Sequence, residues 1–431
     1  MVLSGGVALL AALAAVVVGV AMPTFTGILA ATGVVLLIVV VDAALAGPVR
    51  PLRFTRSGDT TVRLGASATV TLTVLNQGRR RVRGVLRDAW PPSAGVVLDR
   101  FDVDIPPGER RVVTVELLPS RRGDRPADRV TVRSMGPLGL AGRQGSHVVP
   151  WTVRVLPPFH ARRHLPSRLA RLRELDGRSA VQIRGAGTEF DSLREYVVGD
   201  DTRSIDWRAT ARRGDVVVRT WRPERDRHVL VVLDTGRTSA GRVGDAPRLD
   251  AAMDAGLLLA TLAARAGDRV ELLAYDRRVR AAVERPAASE VLPRMVNALA
   301  TVEPELLETD YRGLAAEIRA RAGRHAFVVI ITGIDSGTVE QGLLPVVGTL
   351  AGRHTVLVAA VADPRLAEMA AARGDSAAVY AAAAAEHDRR GREHVAQMLR
   401  RRGAHVVDAD PDDLPPAVAD AYLDLKAAGQ L

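Results

Sequence analysis

From Val2 to Met22 no side chain carries a charge, and Phe25 to Val41 is a second uncharged run that ends at Asp42. Each run is about 17 to 21 residues, roughly 25 to 31 Å as helix, which is enough to cross a hydrocarbon core. Pro23 and Thr24 separate them, so the pattern predicts a tight transmembrane helical hairpin over residues 1–46 with both ends on one side. Arg50, Arg53 and Arg56 follow at once, and cations flanking a span place that side in the cytoplasm. The expectation is a two-pass protein of the plasma membrane with the bulk of its chain cytoplasmic. A cleaved signal peptide is the rival, but the charged n-region is missing and Ala44-Leu45-Ala46 lies too far into the chain.

Over residues 60–156 the period changes to two. Thr69 to Val74, Arg111 to Leu117 and Arg129 to Val132 alternate, with Pro91-Pro92, Pro106-Pro107-Gly108 and Arg122-Gly123 between them. Short strands at this spacing read as a small antiparallel β-sandwich-like domain, a recognition or spacing module with no reactive group in it. Residues 157–227 form a connector, basic from Pro157 to Arg184, and from 228 to 431 strands and helices alternate. Val229 to Leu233 is a continuous apolar run of the kind buried on both faces of a parallel sheet. Helices are expected over Arg248 to Ala266, Thr309 to Ala322, Val339 to Leu350 and Leu414 to Ala427, and in a long Ala-rich stretch before Arg402. Strands are expected over Val270 to Ala274, Ala326 to Ile331, Thr355 to Val361 and His405 to Val407. The result is a doubly wound α/β domain, whose ligands bind at the carboxyl ends of the strands. Attention therefore falls on Asp234, Tyr275-Asp276 and Thr332-Gly333-Ile334-Asp335.

Composition removes several classes of function. There is no cysteine, which excludes disulfides and thiolate zinc. All but one of the 59 cations are Arg, and the single lysine, Lys426, lies in the last predicted helix. No Walker-type phosphate loop, Schiff-base lysine or Ser-x-x-Lys pair is possible in the body of the chain. The net charge of +10 is spread among Asp and Glu rather than gathered with aromatics, so it predicts no specific nucleic-acid partner, although it favours anionic lipid. Gly-x-Ser-x-Gly and His-Glu-x-x-His are absent, and no nucleophile with a base and an orienting group can be assembled.

The densest mixture of charge, aromatics and glycine lies from Gly185 to Trp221, where Phe190, Tyr196, Trp207 and Trp221 stand among acids and arginines. Phe190, Leu193, Tyr196 and Val197 recur at helical spacing, which predicts a helix ended by Gly199. Asp200 or Asp201 then caps a second helix carrying Ile205, Trp207 and Arg208, and Val216 to Trp221 is an alternating strand. The plain alternative is an ion-pair network serving the fold alone.

This stretch resembles the signature of the bacterial family known as domain of unknown function 58. The matching residues are Gly185, Gly187, Glu189, Phe190, Leu193, Arg194, Tyr196, Gly199, Asp200, Arg203, Ile205, Asp206, Trp207, Ala211 and Arg212, with Asp201 beside them. The resemblance implies membrane anchors, a β-rich middle and a C-terminal von Willebrand type A-like domain. Such a domain holds a divalent ion with Asp-x-Ser-x-Ser, a later Thr and a later Asp; here Asp234 and Thr238 match, Thr309 is the candidate Thr, and Asp335 lies two residues past Gly333. Gly236 has lost a hydroxyl and Arg237 adds a cation, so any Mg²⁺ is expected to bind weakly. Otherwise Asp234 caps the following turn or pairs with Arg237.

The leading expectation is a non-enzymatic, membrane-tethered interaction protein, because relatives in that family are associated with MoxR-type AAA+ ATPases in assembling or remodelling complexes. Two alternatives come from other classes. One is a metal-dependent hydrolase or transferase using Glu189, Asp200, Asp201 and Asp206, and the other is nucleic-acid binding through arginine.

Overall fold

The computed structural model describes residues 1–182, 189–222, 227–334, 337 and 339–431, and within these all side chains but those of 176–182, 189–192, 213, 220–222 and 340. The chain divides into two compact units, Met1–Leu156 and Pro157–Leu431.

The first unit contains β1 (Val2–Leu3), α1 (Gly5–Ala21) and α2 (Phe25–Leu45). The strands β2 (Leu52–Gly58), β3 (Thr61–Arg63), β4 (Ala68–Asn76), β5 (Val82–Asp88), β6 (Arg100–Ile105) and β7 (Arg110–Leu117) follow, then β8 (Gly123–Pro126), β9 (Arg129–Met135), β10 (Ala141–Val148) and β11 (Thr152–Leu156). They form sheets ordered β1-β10-β9-β5-β6, β2-β4-β7 and β3-β11-β8. Strict alternation builds the core: Val70, Leu72 and Val74 of β4 point inward to meet Leu86, Ile105, Val132 and Val155. Ser4 and Thr24 cap the two helices through their hydroxyls. Among the described residues one helix, Phe25–Leu45, is long and apolar enough to cross a membrane, while Gly5–Ala21 is a shorter apolar helix packed on it.

The β-rich unit draws in more of the chain than its alternating stretch. Val2 and Leu3 pair with Gly142 and Ala141, and β2 pairs antiparallel with β4. Arg56, expected to flank the membrane, is instead buried. It pairs with Asp88, donates to the Val149 carbonyl at 2.6 Å and lies over the Trp90 ring, whose Nε1 donates to Asp88 at 2.9 Å. An alternating strand sends every second residue inward whatever its charge, and a partner carboxylate makes this position tolerable.

The second unit opens with a turn of 3₁₀ helix and α3 (Leu165–Gln182), then β12 (Glu189–Glu195), α4 (Trp207–Arg213) and β13 (Val217–Arg222). The α/β body follows: β14 (His228–Asp234), α5 (Arg237–Ala240), β15 (Arg242–Val243), β16 (Ala246–Pro247), α6 (Arg248–Arg265), β17 (Arg269–Tyr275), β18 (Val279–Val283), α7 (Val291–Ala300) and α8 (Tyr311–Ala322). It ends with β19 (Phe327–Ile331), α9 (Leu344–Ala351), β20 (Thr355–Val361), α10 (Pro364–Ala371), α11 (Ser376–Arg401), β21 (Ala404–Ala409) and α12 (Leu414–Ala427). Strand order is β18-β17-β14-β19-β20-β21, parallel except for the edge strand β18. One face carries α8, α9 and part of α11 on Leu230, Val328, Ile330 and Val358. The other carries α6, where Gly256 allows close approach, since a Cβ there would lie 3.2 Å from Val231 Cγ1.

Two helical expectations change. Phe190 to Val197 is not a helix: β12 pairs antiparallel with β13, with Phe190 opposite Trp221 and Leu193 opposite Arg219. A β-bulge between Phe190 and Ser192 inserts one extra residue and breaks the two-residue period by which the strand would have been recognised. The helix expected over Val339 to Leu350 begins as a π-helical turn, Val339–Leu343, and becomes α-helical at Leu344–Ala351, where Pro345 is tolerated in the first turn.

Candidate functional site

The carboxyl ends of β14, β17 and β19 converge on Asp234, which is fully buried. Its Oδ1 accepts the Gly236 amide at 2.8 Å and the Thr309 hydroxyl at 2.5 Å. Its Oδ2 accepts the hydroxyls of Thr238 at 3.2 Å, Tyr311 at 3.1 Å and Thr332. Each donor comes from a different place: the turn after β14, the start of α5, the loop before α8, α8 itself and the end of β19. Burial, and after it the Asp234 charge, raises the Tyr311 hydroxyl well above its ordinary range, so this phenol is a donor at every physiological pH.

A strap, residues 302–310, is stitched over this carboxylate. Glu305 N donates to the Thr235 carbonyl and Arg237 N to the Leu307 carbonyl, each at 2.8 Å, and Asp310 N bonds the Asp276 carbonyl at 2.9 Å. Arg237 Nε reaches Glu308 at 2.6 Å and Arg280 Nη2 reaches Glu305 at 2.6 Å. Arg237 thus pairs with Glu308, while Asp234 closes the turn through the Gly236 amide. The strap faces outward with Leu306, 78% exposed, and Leu307 beside it.

Asp234, Thr238 and Thr309 therefore come together, joined by Thr332, which the sequence placed at a strand end without a role, and by Tyr311, which sequence reasoning had not assigned. Asp335 lies outside the described residues. A Cβ on Gly236 would stand 2.1 Å from Thr309 Oγ1, and one on Gly333 would stand 2.8 Å from Thr238 Cβ. No serine or aspartate fits at either position as the site stands. Among the described residues no group of three or more His, Asp or Glu side chains converges. The rim offers, among the described residues, a single carboxylate already bound by five neutral donors, which does not by itself fit a resident Mg²⁺, an ion that needs about six oxygens and a higher ligand charge.

The signature stretch forms a second constellation on the β12–β13 hairpin. Arg194 grips Asp200 with both terminal nitrogens, at 2.8 and 2.6 Å, and Asp200 also accepts the Val197 amide at 2.9 Å. Asp201 accepts the Arg203 amide, and Asp206 caps α4 through the Arg208 and Ala209 amides while pairing with Arg219 at 2.8 Å. The Arg194 guanidinium and the Val197 amide hold the Asp200 carboxyl below the usual carboxylate range, and the Ala209 amide with the Arg219 guanidinium does the same for Asp206. Gly199 takes a positive φ of 111° at the hairpin tip. Val197 and Val198 are exposed there, as are Trp207, Arg203 and Arg212, while Leu193 and Tyr196 are half-buried. Gly185 and Gly187 lie outside the described residues, as do the side chains of Glu189 and Phe190.

The family profile described as protein of unknown function DUF58 matches residues 192–376, which takes in part of the hairpin and most of the sheet. Among curated proteins none matches the sequence. Of solved structures, a CARDB domain from Pyrococcus furiosus is similar at 19% identity over 24% of this chain and 91% of its own, with a TM-score of 0.18. A β-glucosidase from Listeria innocua is similar at 18% identity over 24% of this chain and 16% of its own, with a TM-score of 0.17.

Proposed function

We propose that this is a membrane-anchored, non-enzymatic interaction protein that works with a MoxR-type AAA+ ATPase in assembling or remodelling protein complexes. Its α/β unit is read as von Willebrand type A-like. The two apolar helices are read as crossing the plasma membrane twice, with the bulk of the chain cytoplasmic. The observation that carries the reading is the filled rim. Where an α/β sheet ordinarily binds a small ligand, Asp234 is saturated and the strap covers it, leaving an outward surface of Leu306, Leu307, Arg237 and Glu308. A rigid, partly apolar surface rimmed by charge suits a protein partner.

The hydrolase alternative requires carboxylates converging in a cleft. Asp200, Asp201 and Asp206 each hold a local amide, and two of them an arginine as well, which supports a structural role for these acids. Co-purification of the full chain from detergent extracts tests the main reading. The ATPase is expected among the captured proteins, and Leu306→Arg, at a largely exposed position, is expected to cut its recovery about tenfold while leaving the thermal melt unchanged. Recovery of no ATPase, or turnover of a substrate by the purified chain alone, would sink it.

A further inference from the structure

The apolar helices end on a constructed foot. Asp42, in the last turn of α2, is fully buried, and its carboxylate accepts the backbone amides of Leu138 and Leu140 at 2.8 Å and Ala141 at 2.9 Å. The same loop receives the start of the first helix, since Ser4 N donates to the Leu140 carbonyl at 2.8 Å. Gly136 is required there, because a Cβ would lie 2.2 Å from the Asp42 carbonyl oxygen. The beginning of α1 and the end of α2 are thereby fixed to one loop of the β-rich unit.

Arginines gather around this junction. Arg143 Nε donates to the Ala43 carbonyl at 3.2 Å, and Arg80 donates to the Ala44 carbonyl. Both guanidiniums therefore stand level with the last turn of α2. Arg80 belongs to the β4–β5 turn, which Asn76 closes by bonding the Arg80 and Ile105 carbonyls, each at 2.9 Å. The same turn carries exposed Arg79 and leads to Arg81, whose carbonyl packs against Gly47. Exposed Arg50 comes from the neighbouring entry to β2. Of the nearby acids, Asp42 is engaged by three amides and Asp104 by Arg81, while exposed Glu109 lies close enough to Arg81 for its charge to act on that guanidinium. Leu138, 65% exposed, projects from the loop that wraps Asp42.

We propose that this foot is a binding surface for anionic phospholipid headgroups, with Arg50, Arg79, Arg80 and Arg143 taking the phosphates and Leu138 resting at the acyl boundary. The proposal rests on the membrane anchoring proposed above. A helix of 21 residues spans about 31 Å, close to the hydrocarbon thickness, so Ala43 to Leu45 falls at headgroup level. Cations held at that level by hydrogen bonds to the helix end meet phosphate without further ordering, and excess positive charge beside a span favours an anionic leaflet.

The test reconstitutes the full chain into vesicles of an equimolar mixture of phosphatidylcholine and phosphatidylglycerol. The protein is then re-extracted in mild detergent and the lipid that co-purifies is quantified. Phosphatidylglycerol is expected to exceed phosphatidylcholine about three- to tenfold, and less so in high salt. The double variant Arg50→Gln/Arg79→Gln, which leaves both contacts to the helix end in place, is expected to lose at least half of that enrichment. Adding Arg80→Gln and Arg143→Gln is expected to bring the ratio near parity. Parity in the unsubstituted chain, or enrichment indifferent to the double variant, overturns the lipid proposal while the anchor stands. Failure to float with the vesicles at all overturns the anchor and the lipid proposal together.

Discussion

Asp234 has more donors than a carboxylate has favourable lone-pair directions, about four, so its hydrogen bonds compete and its rotamer is fixed. Tyr311→Phe removes one donor to Asp234 and the contact with Thr332 but leaves neither carboxylate oxygen bare. It is expected to cost about 1 to 2 kcal/mol in denaturant unfolding. Asp234→Ala strands all the donors at once and is expected to cost about 3 kcal/mol or more. A larger effect from Tyr311→Phe than from Asp234→Ala would show that the phenol acts through something other than this carboxylate. Asp254 of α6 behaves differently. Burial pushes its carboxyl up to about 6, against the opposing bond from the Ala161 amide at 3.0 Å. In the folded state it holds a proton that the unfolded chain releases near pH 3.8, so its contribution is full below that value and is lost as pH rises through about 6. The loss amounts to about 2 kcal/mol after allowing for partial solvent access. Asp254→Asn keeps an acceptor for Ala161 and does not titrate, so its stability relative to the unsubstituted chain should rise between pH 4 and about 6 and then level. A pH-independent difference between the two chains would refute the assignment.

At the scale of elements, the hairpin depends on its caps and its bulge. Asp206→Ala removes the N-cap of a seven-residue helix together with the partner of Arg219, and hydrogen exchange at Arg208 and Ala209 should quicken roughly five- to tenfold. Unchanged exchange there would mean that α4 is held by its packing on β13 alone. What could be read in the chain follows from which interactions are local. Periodicity was sufficient for α6, β19, β20 and α12, because their apolar residues are buried in one uninterrupted pattern. It failed at Phe190, where one inserted residue interrupts the two-residue period of a strand. It could not foresee the buried side chain of Arg56, which depends on Asp88 thirty-two residues away. The rim was legible at Asp234, Thr238 and Thr309 from the order of residues after a strand. Thr332 was legible as a strand-end position but not as a donor to Asp234, and Tyr311 was not legible at all, since their hydroxyls reach that carboxylate across 98 and 77 residues of chain. A tyrosine at the start of a helix in a chain with five of them was the available signal. Asp42 carried a signal too, as the single acid closing an apolar run, but the amides that hold it lie about a hundred residues on.

For the molecule as a whole, the two units bury separate cores, one of alternating strand residues and one packed on the faces of a mixed sheet. Each is large enough to unfold cooperatively by itself, so a single free energy of unfolding is not defined for the chain. Two transitions are expected in a detergent-solubilised melt, and substitutions assign them. Asp88→Asn leaves the Arg56 guanidinium buried without a counter-charge, which destabilises the β-rich unit by about 3 kcal/mol or more. Its volume hardly changes, so the effect isolates charge from packing. That substitution should lower one transition and leave the other in place, whereas Asp234→Ala should do the reverse. Site-resolved hydrogen exchange distinguishes this from a single cooperative molecule: with Asp88→Asn, protection should fall in β4, β5 and β9 while β14, β19 and β20 keep theirs. Equal loss of protection in both sets of strands would mean that the units unfold as one. A strained foot or a gripped rim would then be felt throughout the chain, and the lipid surface and the partner surface could no longer act independently.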